Sequence, residues 1–145
     1  VIRSGCFCAA QHLHICLLMF TDAEVSCQFG QSCILPCRFT PGDHLEIYWI
    51  QLTTTLANVH SYYDNKDQLE VQDQRFRGRT SLFQDQISKG NASLQLTGVM
   101  VQDQGRYRCY TITNTDEITS LLTVQIVYGK RNNNSFLTEI KQICK

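Results

Sequence analysis

Cysteine and histidine side chains cluster near the start of the chain, where they offer a set of metal ligands. The cluster has the pattern C-x-C-x3-H-x-H-x-C and comprises Cys6, Cys8, His12, His14 and Cys16. Thiolates and imidazoles bind zinc and copper, so a metal site is one hypothesis. However, the spacing matches no structural zinc pattern, and the surrounding apolar stretch follows Arg3 as in a signal peptide. We therefore predict a leader segment here, with no metal site and no cofactor.

Catalytic side chains are the next hypothesis, and the sequence offers few of them. Nucleophilic catalysis needs a serine or cysteine, a histidine base and an orienting acid within reach of one another. His44 and His60 are isolated in the sequence, and Asp64 and Asp67 lie in a predicted turn, where carboxylates are usually solvated. No glycine-rich phosphate loop follows a predicted strand and opens a helix. These observations predict a protein that is not an enzyme.

The overall composition excludes several classes of partner. The chain has 145 residues, a formal net charge of zero, 43% apolar residues and eight cysteines. A neutral chain lacks the basic excess on which binding to nucleic acids or anionic membranes usually depends. No run reaches the roughly 18 apolar residues that a membrane-spanning helix needs. The cysteines favour disulfides in an oxidising compartment, so we predict one main domain that is extracellular.

The elements that position the remaining residues are predicted to be short β-strands. Most of the apolar runs alternate in polarity or carry β-branched and aromatic side chains, and no stretch keeps a helical period for long. These runs are SCILPC, EIYWIQL, NVHSYY, RTSLF, ASLQLTGV, GRYRCYTI and ITSLLTVQIV. Turn-forming segments such as PGD, DNKD and SKGN separate them. The pattern predicts an all-β fold, an antiparallel sandwich or barrel.

Two cysteines, a tryptophan and a tyrosine narrow this fold class. Cys37 ends an apolar run, Trp49 follows twelve residues later, and Tyr107 precedes Cys109 by two residues. This is the order found in an immunoglobulin domain, in which the two cysteines join facing sheets and the indole packs against the bridge. A bridge between cysteines 72 residues apart would stabilise the fold by roughly 4 kcal/mol. We therefore predict an immunoglobulin β-sandwich.

The residues around Tyr107 match the turn that precedes the second cysteine of such a domain. Asp103 and Gly105 belong to the sequence DQGRYRC, in which the glycine permits the turn and the tyrosine hydroxyl can bond to the nearby backbone. In similar domains an arginine at the position of Arg79 pairs with the aspartate. The long separation of Cys37 and Cys109 leaves room for the extra strands of a variable-type domain, NVHSYY and then DQLEVQ or its edge.

The other cysteines and the chain ends lead to further expectations. Cys27 and Cys33 lie six residues apart, and either they form a local bridge or one of them pairs elsewhere or is free. We interpret residues 1–23 as the remnant of a signal peptide and residues 24–128 as the variable-type domain. Residues 129–145, with Cys144 near their end, are interpreted as a linker and the truncated start of a second domain.

Several segments give the chain a more specific resemblance. The stretches VHSYY, DQRFRGRTSLF, GNASLQLTGV and VQDQGRYRCY resemble the variable domain of the butyrophilin-related costimulatory ligands, the B-seven group, and the resemblance covers roughly residues 24–137. It implies a type I membrane glycoprotein that engages receptors on T cells and natural killer cells. In that family a constant-type domain and a transmembrane helix normally follow, so membrane attachment would come from segments absent from this chain.

Alternation along the strands predicts which side chains would meet a receptor. If Trp49, Tyr107 and Cys109 point inward, the residues between them point outward. Related ligands contact receptors through this sheet, here called the front sheet, and through the loop that precedes its last strand. The predicted receptor-binding face is therefore Tyr48, Ile50, Ser61, Tyr63, Arg108, Tyr110, Ile112 and Asn114, together with the rest of the loop from Asn114 to Glu117. Alternation alone leaves open whether Tyr62 or Tyr63 faces outward.

These observations lead to a prediction of function with named alternatives. The chain is predicted to be an immune co-signalling ligand that binds a protein receptor on lymphocytes and lies outside the plasma membrane or is secreted. The alternatives are a homophilic adhesion module, which would form a homodimer through the front sheet, and a soluble decoy form. Asn91 in NAS and Asn133 in NNS are predicted glycosylation acceptors.

Overall fold

Short strands account for most of the regular structure in the computed structural model, which describes residues 22–53 and 55–129. The strands are β1 (Ala23–Gln28), β2 (Cys33–Leu35), β3 (Leu45–Leu52), β4 (Ala57–Tyr63), β5 (Lys66–Asp67), β6 (Thr80–Leu82), β7 (Leu94–Leu96), β8 (Gly105–Thr113) and β9 (Glu117–Val127). The helices are α1 (Gln84–Ile87) and the 3-10 turns Leu69–Val71, Gln74–Phe76 and Val101–Asp103. Within the described ranges, none of these helices has the length and apolar character to cross a bilayer.

The strands form two sheets that enclose one core. The front sheet has the order β1-β9-β8-β3-β4-β5, and the back sheet has the order β2-β7-β6. Neighbouring strands are antiparallel except β1 and β9, which are parallel. The predicted all-β, two-sheet architecture is confirmed.

The core lies between the sheets because alternate residues of the long strands point inward. On β3, Ile47, Trp49 and Gln51 are fully buried, whereas the residues between them are only partly buried. Leu35 and Leu94 of the back sheet are also fully buried and complete the other side of the core. The indole of Trp49 donates a hydrogen bond to the carbonyl oxygen of Ala92 at 2.9 Å, which satisfies its only polar atom in the core.

Two disulfides join the front sheet to elements of the back sheet. Cys37 is bonded to Cys109, with Cα atoms 6.4 Å apart, and both residues are buried against the core. Cys27 of β1 is bonded to Cys33 of β2, with Cα atoms 5.4 Å apart. The structure therefore selects the local bridge from the alternatives that the sequence left open. Cys6, Cys8, Cys16 and Cys144, with His12 and His14, lie outside the described residues.

A buried ion pair and a tyrosine hold the turn before β8. The guanidinium of Arg79 donates to both carboxylate oxygens of Asp103, at 2.9 and 2.8 Å. The Tyr107 hydroxyl donates to the Asp103 carbonyl oxygen at 2.7 Å. Gly105 has a backbone φ of 142°, a conformation that other residues rarely adopt. These contacts place the five predicted fold-defining residues, Trp49 included, in and beside the core.

Two segments differ from the sequence-based expectation. β1 was not among the predicted strands, yet it pairs along its whole length with β9. The segment DQLEVQ was expected to form a strand or a sheet edge, but the strand ends at Asp67 and a 3-10 turn follows. Leu69 and Val71 in this turn are 56% and 52% exposed, so no apolar face holds the segment against the sandwich. The Gln72 side chain instead donates to the Val59 carbonyl oxygen at 2.8 Å.

Candidate functional site

Three rows of side chains cross the outer surface of the front sheet, because residues facing one another on neighbouring antiparallel strands share a face. The acidic row comprises Glu46, Ile112 and Glu117. The tyrosine row comprises Ser61, Tyr48, Tyr110 and Thr119. The arginine row comprises Asn58, Ile50, Arg108 and Leu121. These three rows, together with Tyr63, are called the front face below.

Three tyrosine rings form the centre of the front face. Tyr48 lies between the other two, with its ring centroid 6.4 Å from that of Tyr110 and 6.1 Å from that of Tyr63. These separations are typical of interacting aromatic pairs. Each of the three residues is partly buried, so the rings support one another and still present surface to solvent.

The hydroxyl groups of two of these tyrosines are bonded to the acidic row. The Tyr48 hydroxyl donates to the Glu46 carboxylate, and the Tyr110 hydroxyl donates to the Glu117 carboxylate at 2.8 Å. His44 Nε2 lies 3.0 Å from the other Glu46 oxygen. These hydrogen bonds from the tyrosine row to the acidic row hold the rings of Tyr48 and Tyr110 in fixed orientations.

The same contacts shift the ionisation of the groups involved. Burial, followed by the hydrogen bond to Glu46, raises the pKa of Tyr48 to about 12. The hydrogen bond to Glu117 raises the pKa of Tyr110. Hydrogen bonds from Tyr48 and His44 lower the pKa of Glu46. At neutral pH, the face therefore presents neutral Tyr48 and Tyr110 beside an ionised Glu46.

The arginine row contains polar atoms that the rest of the described chain does not satisfy. Nε of Arg108 is buried, and residues 22–53 and 55–129 supply no acceptor for it. Asn58 donates from Nδ2 to the Ser61 hydroxyl at 2.8 Å, while its buried Oδ1 likewise has no donor in those ranges. Both side chains flank Ile50 in the register of the sheet.

The predicted face residues occupy this surface with one correction. Tyr48, Ile50, Tyr63, Arg108, Tyr110 and Ile112 are all partly buried residues of the front face. Asn114 is exposed in the turn between β8 and β9, and its Oδ1 accepts a hydrogen bond from the Asp43 backbone at 3.0 Å. Ser61 pairs with Tyr48 but is only 1% exposed, so the expectation that it is accessible is wrong.

The pairing of β4 with β3, which includes a register shift, decides which side chains of β4 face outward. The pairing of β3 with β4 changes between Trp49, opposite His60, and Ile50, opposite Asn58. One extra residue is thereby accommodated in β4, and the alternation of its side chains changes phase. Tyr62, opposite the buried Ile47, lies inward at 8% exposure and Tyr63 lies outward, while the shift brings Asn58 to the outer side beside Ile50.

Four members of the rows were missed by the sequence analysis: Glu46, Asn58, Thr119 and Leu121. Glu46 has the same parity as Tyr48 and Ile50, so strict alternation would have found it. Thr119 and Leu121, like Glu117 of the predicted loop, follow from the register of the β8–β9 hairpin, which depends on the length of the turn. Asn58 has no comparable signal, because the register shift in β4 changes its side of the sheet.

The predicted glycosylation acceptors lie away from this face. Asn91 is partly exposed after α1, its backbone pairs with Arg38, and its Oδ1 accepts from the Ser93 amide at 3.0 Å. Asn133 lies outside the described residues. Glycosylation of either residue stays a prediction.

A variable-type immunoglobulin domain is defined by two sheets linked by a disulfide, a buried tryptophan and a tyrosine at the turn before the second cysteine. The described residues have all of these features. Comparison with known families agrees, since the immunoglobulin V-set domain model matches residues 20–127, and the chain belongs to this family. V-set domains, like the related proteins described below, serve as receptor and ligand modules. The V-set domains of immune cell-surface proteins are extracellular.

Several curated proteins resemble the chain over this domain. Human HERV-H LTR-associating protein 2 is 42% identical over 76% of this chain and 28% of its own length. Human V-set domain-containing T-cell activation inhibitor 1 is 44% identical over 59% of this chain and 31% of its own length. The chain thus spans about a third of these relatives. The predicted resemblance to the butyrophilin-related costimulatory group is confirmed by these similarities.

Solved structures show the same fold. The human B7-H4 IgV-like domain has a TM-score of 0.68 and 36% identity, covering 75% of this chain and 96% of that one. Bovine butyrophilin has a TM-score of 0.64 at 22% identity, covering 73% of this chain and 51% of that one, and supports the fold alone.

Proposed function

We propose that this chain is the receptor-binding domain of an immune co-signalling ligand. It binds a receptor on T cells or natural killer cells through the front face, and it regulates T-cell activation and cytokine production from the external side of the plasma membrane or as a secreted form. The observation that carries the proposal is the tyrosine row, an ordered aromatic surface flanked by charged rows on the outside of a rigid sheet.

The chemistry of the face suits recognition of another protein. Tyrosine and arginine are enriched among the residues that dominate binding energy at interfaces. Because the Tyr48 and Tyr110 hydroxyls are held by Glu46 and Glu117, little side-chain freedom remains to be lost on binding. The face is thus preorganised for contact with a partner surface.

The relatives support the cellular setting of this proposal. One of them is named as an inhibitor of T-cell activation, and another belongs to the butyrophilins. We propose that this chain, like these relatives, acts on lymphocytes, and that the front face acts by binding a receptor there.

A binding experiment on cells tests the proposal. The full 145-residue chain, displayed as a fluorescent multimer, is expected to stain activated T cells or natural killer cells. The double substitution Tyr48→Ala with Tyr110→Ala is expected to reduce this staining by about tenfold or more, as for loss of interface hot spots. Plate-bound protein is expected to change cytokine release from stimulated T cells, and the double variant is expected to lose this effect.

Matched controls separate loss of contact from loss of folding. Tyr128→Ala removes an aromatic residue that is 66% exposed and outside the front face, and it should leave staining unchanged. Thermal unfolding of each variant checks that the domain is intact. Equal staining by the double variant and the original chain would contradict the choice of the front face.

A second candidate function is homophilic adhesion, which the charge arrangement favours. The acidic and arginine rows lie on opposite sides of the tyrosine row, so two faces related by a two-fold axis parallel to the tyrosine row would bring opposite charges together. Sedimentation of the full chain tests this candidate. Self-association through the front face, without staining of lymphocytes, would favour it over the co-signalling ligand.

A further inference from the structure

We propose that the receptor places a carboxylate side chain against Arg108, an inference that rests on the proposed function. It names the chemistry of the partner at one defined position of the front face. The partner is an acidic residue of a protein, and it supplies the counter-charge that Arg108 lacks among the described residues.

The setting of Arg108 is the first step of the argument. It lies on β8 between Ile50 and Leu121 in the register of the sheet, two residues before Tyr110. Its side chain is partly buried, and its Nε is removed from solvent without an acceptor among the described residues. Because the residue as a whole keeps partial exposure, a carboxylate of a partner can still reach the guanidinium, and a partly desolvated cation gains more from an anion than a fully exposed one does.

Other arginines of the domain do have carboxylate partners. Arg75 contacts Asp73 at 3.1 Å, Arg79 contacts Asp103 at 2.8 Å, and Arg106 contacts Asp22 at 2.6 Å. In the ranges 22–53 and 55–129, no such contact is found for Arg108. Arg38 and Arg77 also lack such a contact there but are exposed, so Arg108 is the partly buried arginine of these ranges whose charge has no carboxylate partner.

The carboxylates of the same face are separated from Arg108. Glu46 and Glu117 belong to the acidic row, and the tyrosine row lies between that row and the arginine row. Both carboxylates already accept hydrogen bonds from Tyr48 and Tyr110. The described residues therefore leave Arg108 without a carboxylate, and we assign that carboxylate to the receptor.

Asn58 lies on the other side of Ile50 from Arg108 and also has a polar atom without a hydrogen-bond partner among the described residues. Its buried Oδ1 has no donor in the described residues, while its Nδ2 is already used by Ser61. A partner residue that pairs with the Arg108 guanidinium would therefore lie beside Ile50, and a donor of the partner would reach the Asn58 amide oxygen only after that side chain turns toward solvent. Charges of opposite sign at the two sides of the tyrosine row would also fix the direction in which the receptor docks.

The test uses charge variants of the full chain as fluorescent multimers on activated lymphocytes. Arg108→Gln and Arg108→Glu are expected to reduce staining by about tenfold or more, because a desolvated charge pair is lost. Arg108→Lys keeps the charge and should retain more staining than Arg108→Gln. The control Arg38→Glu reverses an exposed arginine that pairs through its backbone with Asn91, and it should stain as the original chain does.

Two further readouts exclude a merely structural role for Arg108. Arg108→Gln should unfold at the same temperature as the original chain or higher, since it removes an unpartnered charge. Staining by the original chain should fall as salt is raised, and staining by Arg108→Gln should depend less on salt. A lower unfolding temperature together with unchanged salt dependence would overturn the inference.

The remaining outcomes separate this inference from the proposed function. Full staining by Arg108→Glu, with loss of staining by the Tyr48 and Tyr110 double variant, overturns the carboxylate partner and leaves the proposed function standing. Loss of staining after sialidase treatment of the cells assigns the carboxylate to a glycan and also overturns the inference. A further outcome is that the chain self-associates in a way that Arg108→Glu abolishes and that adding Glu46→Arg restores. That result assigns the carboxylate to a second copy of the chain and overturns the inference. No staining by the original chain overturns both.

Discussion

At the scale of single residues, the domain depends on polar groups that are buried and fully bonded. Asp103 accepts two hydrogen bonds from Arg79, and its Oδ2 also accepts one from the Met100 amide at 2.9 Å. The bond to Asp103 raises the pKa of Arg79. Burial raises the pKa of Tyr107, whose hydroxyl bonds to the same turn. The conformation before β8 is thus maintained by a small set of connected side chains.

Asp103→Asn should destabilise the domain strongly. The substitution leaves the charge of Arg79 without its buried partner, which typically costs about 3–5 kcal/mol of unfolding free energy. The matched control is Asp73→Asn, because Asp73 pairs with Arg75 at a more exposed site and should cost less than about 1 kcal/mol. Urea denaturation measures both values. Equal losses for the two variants would contradict the role assigned to the buried pair.

Tyr48 should make stability depend on alkaline pH. Its pKa is about 12 in the folded domain against 10.0 for an unperturbed tyrosine, so the unfolded chain releases this proton first as pH rises. Its contribution is present below pH 10 and is lost as pH rises towards about 12. Tyr48→Phe should therefore lose less stability than the original chain over this interval. Thermal unfolding at several pH values checks this, with Tyr128→Phe expected to behave as the original chain does.

At the scale of elements, short connections determine how the strands meet. The pairing of β4 with β3 orients Tyr63 outward and His60 inward, and the register shift between Asn58 and His60 turns Asn58 outward. The His60 ring nitrogens contact Thr80 at 2.9 Å and Asp67 at 2.8 Å. After α1, Gly90 accepts a hydrogen bond from the Phe39 amide at 3.0 Å and connects this helix to the segment after β2. Both connections are irregular, and both place residues of the two sheets in contact.

Gly90→Ala should disturb the second of these connections. Gly90 has a φ of 81°, and a Cβ atom there would collide with the Phe39 carbonyl oxygen. The backbone conformation alone costs an alanine about 1 kcal/mol, and the collision should bring the loss to about 2 kcal/mol or more. Gly78→Ala isolates the first effect, because Gly78 has a φ of 70° and no atom within 4 Å of the added Cβ. Similar unfolding free energies for the two variants would contradict the collision.

At the scale of the whole molecule, the two disulfides contribute unequally to one sandwich. Cys37–Cys109 closes a separation of 72 residues between the sheets, whereas Cys27–Cys33 closes a separation of 6. Longer closed loops remove more conformational freedom from the unfolded chain. The long bridge therefore supports the whole domain, and the short bridge holds β1 beside β2.

Removing the bridges one at a time should reveal this difference. Cys27→Ala with Cys33→Ala should lower the unfolding free energy by about 2 kcal/mol, and Cys37→Ala with Cys109→Ala by about 4 kcal/mol or more. Urea denaturation followed by the fluorescence of Trp49, the only tryptophan of the chain, measures both. A larger loss for the short bridge would show that loop length does not govern the effect.

Much of the fold was predictable because its signals are local. The order of Cys37, Trp49, Tyr107 and Cys109 and the alternation within β3 and β8 identify the sandwich without knowledge of any contact. Alternation also assigns Tyr48, Ile50, Arg108 and Tyr110 to one face, since successive side chains of a strand point to opposite sides. In these long strands a residue's orientation follows from its position in the sequence.

The sequence by itself thus determined the immunoglobulin class, the core residues and most members of the front face. Only the tertiary structure decided that Ser61 is covered, that Tyr63 rather than Tyr62 faces outward and that Asn58 stands beside Ile50. Only the structure aligned Glu46 and Glu117 with the two tyrosines and left Arg108 without an acceptor in the described chain. The physical reason is that alternation is a property of one strand, whereas register and hydrogen-bond satisfaction depend on residues distant in sequence.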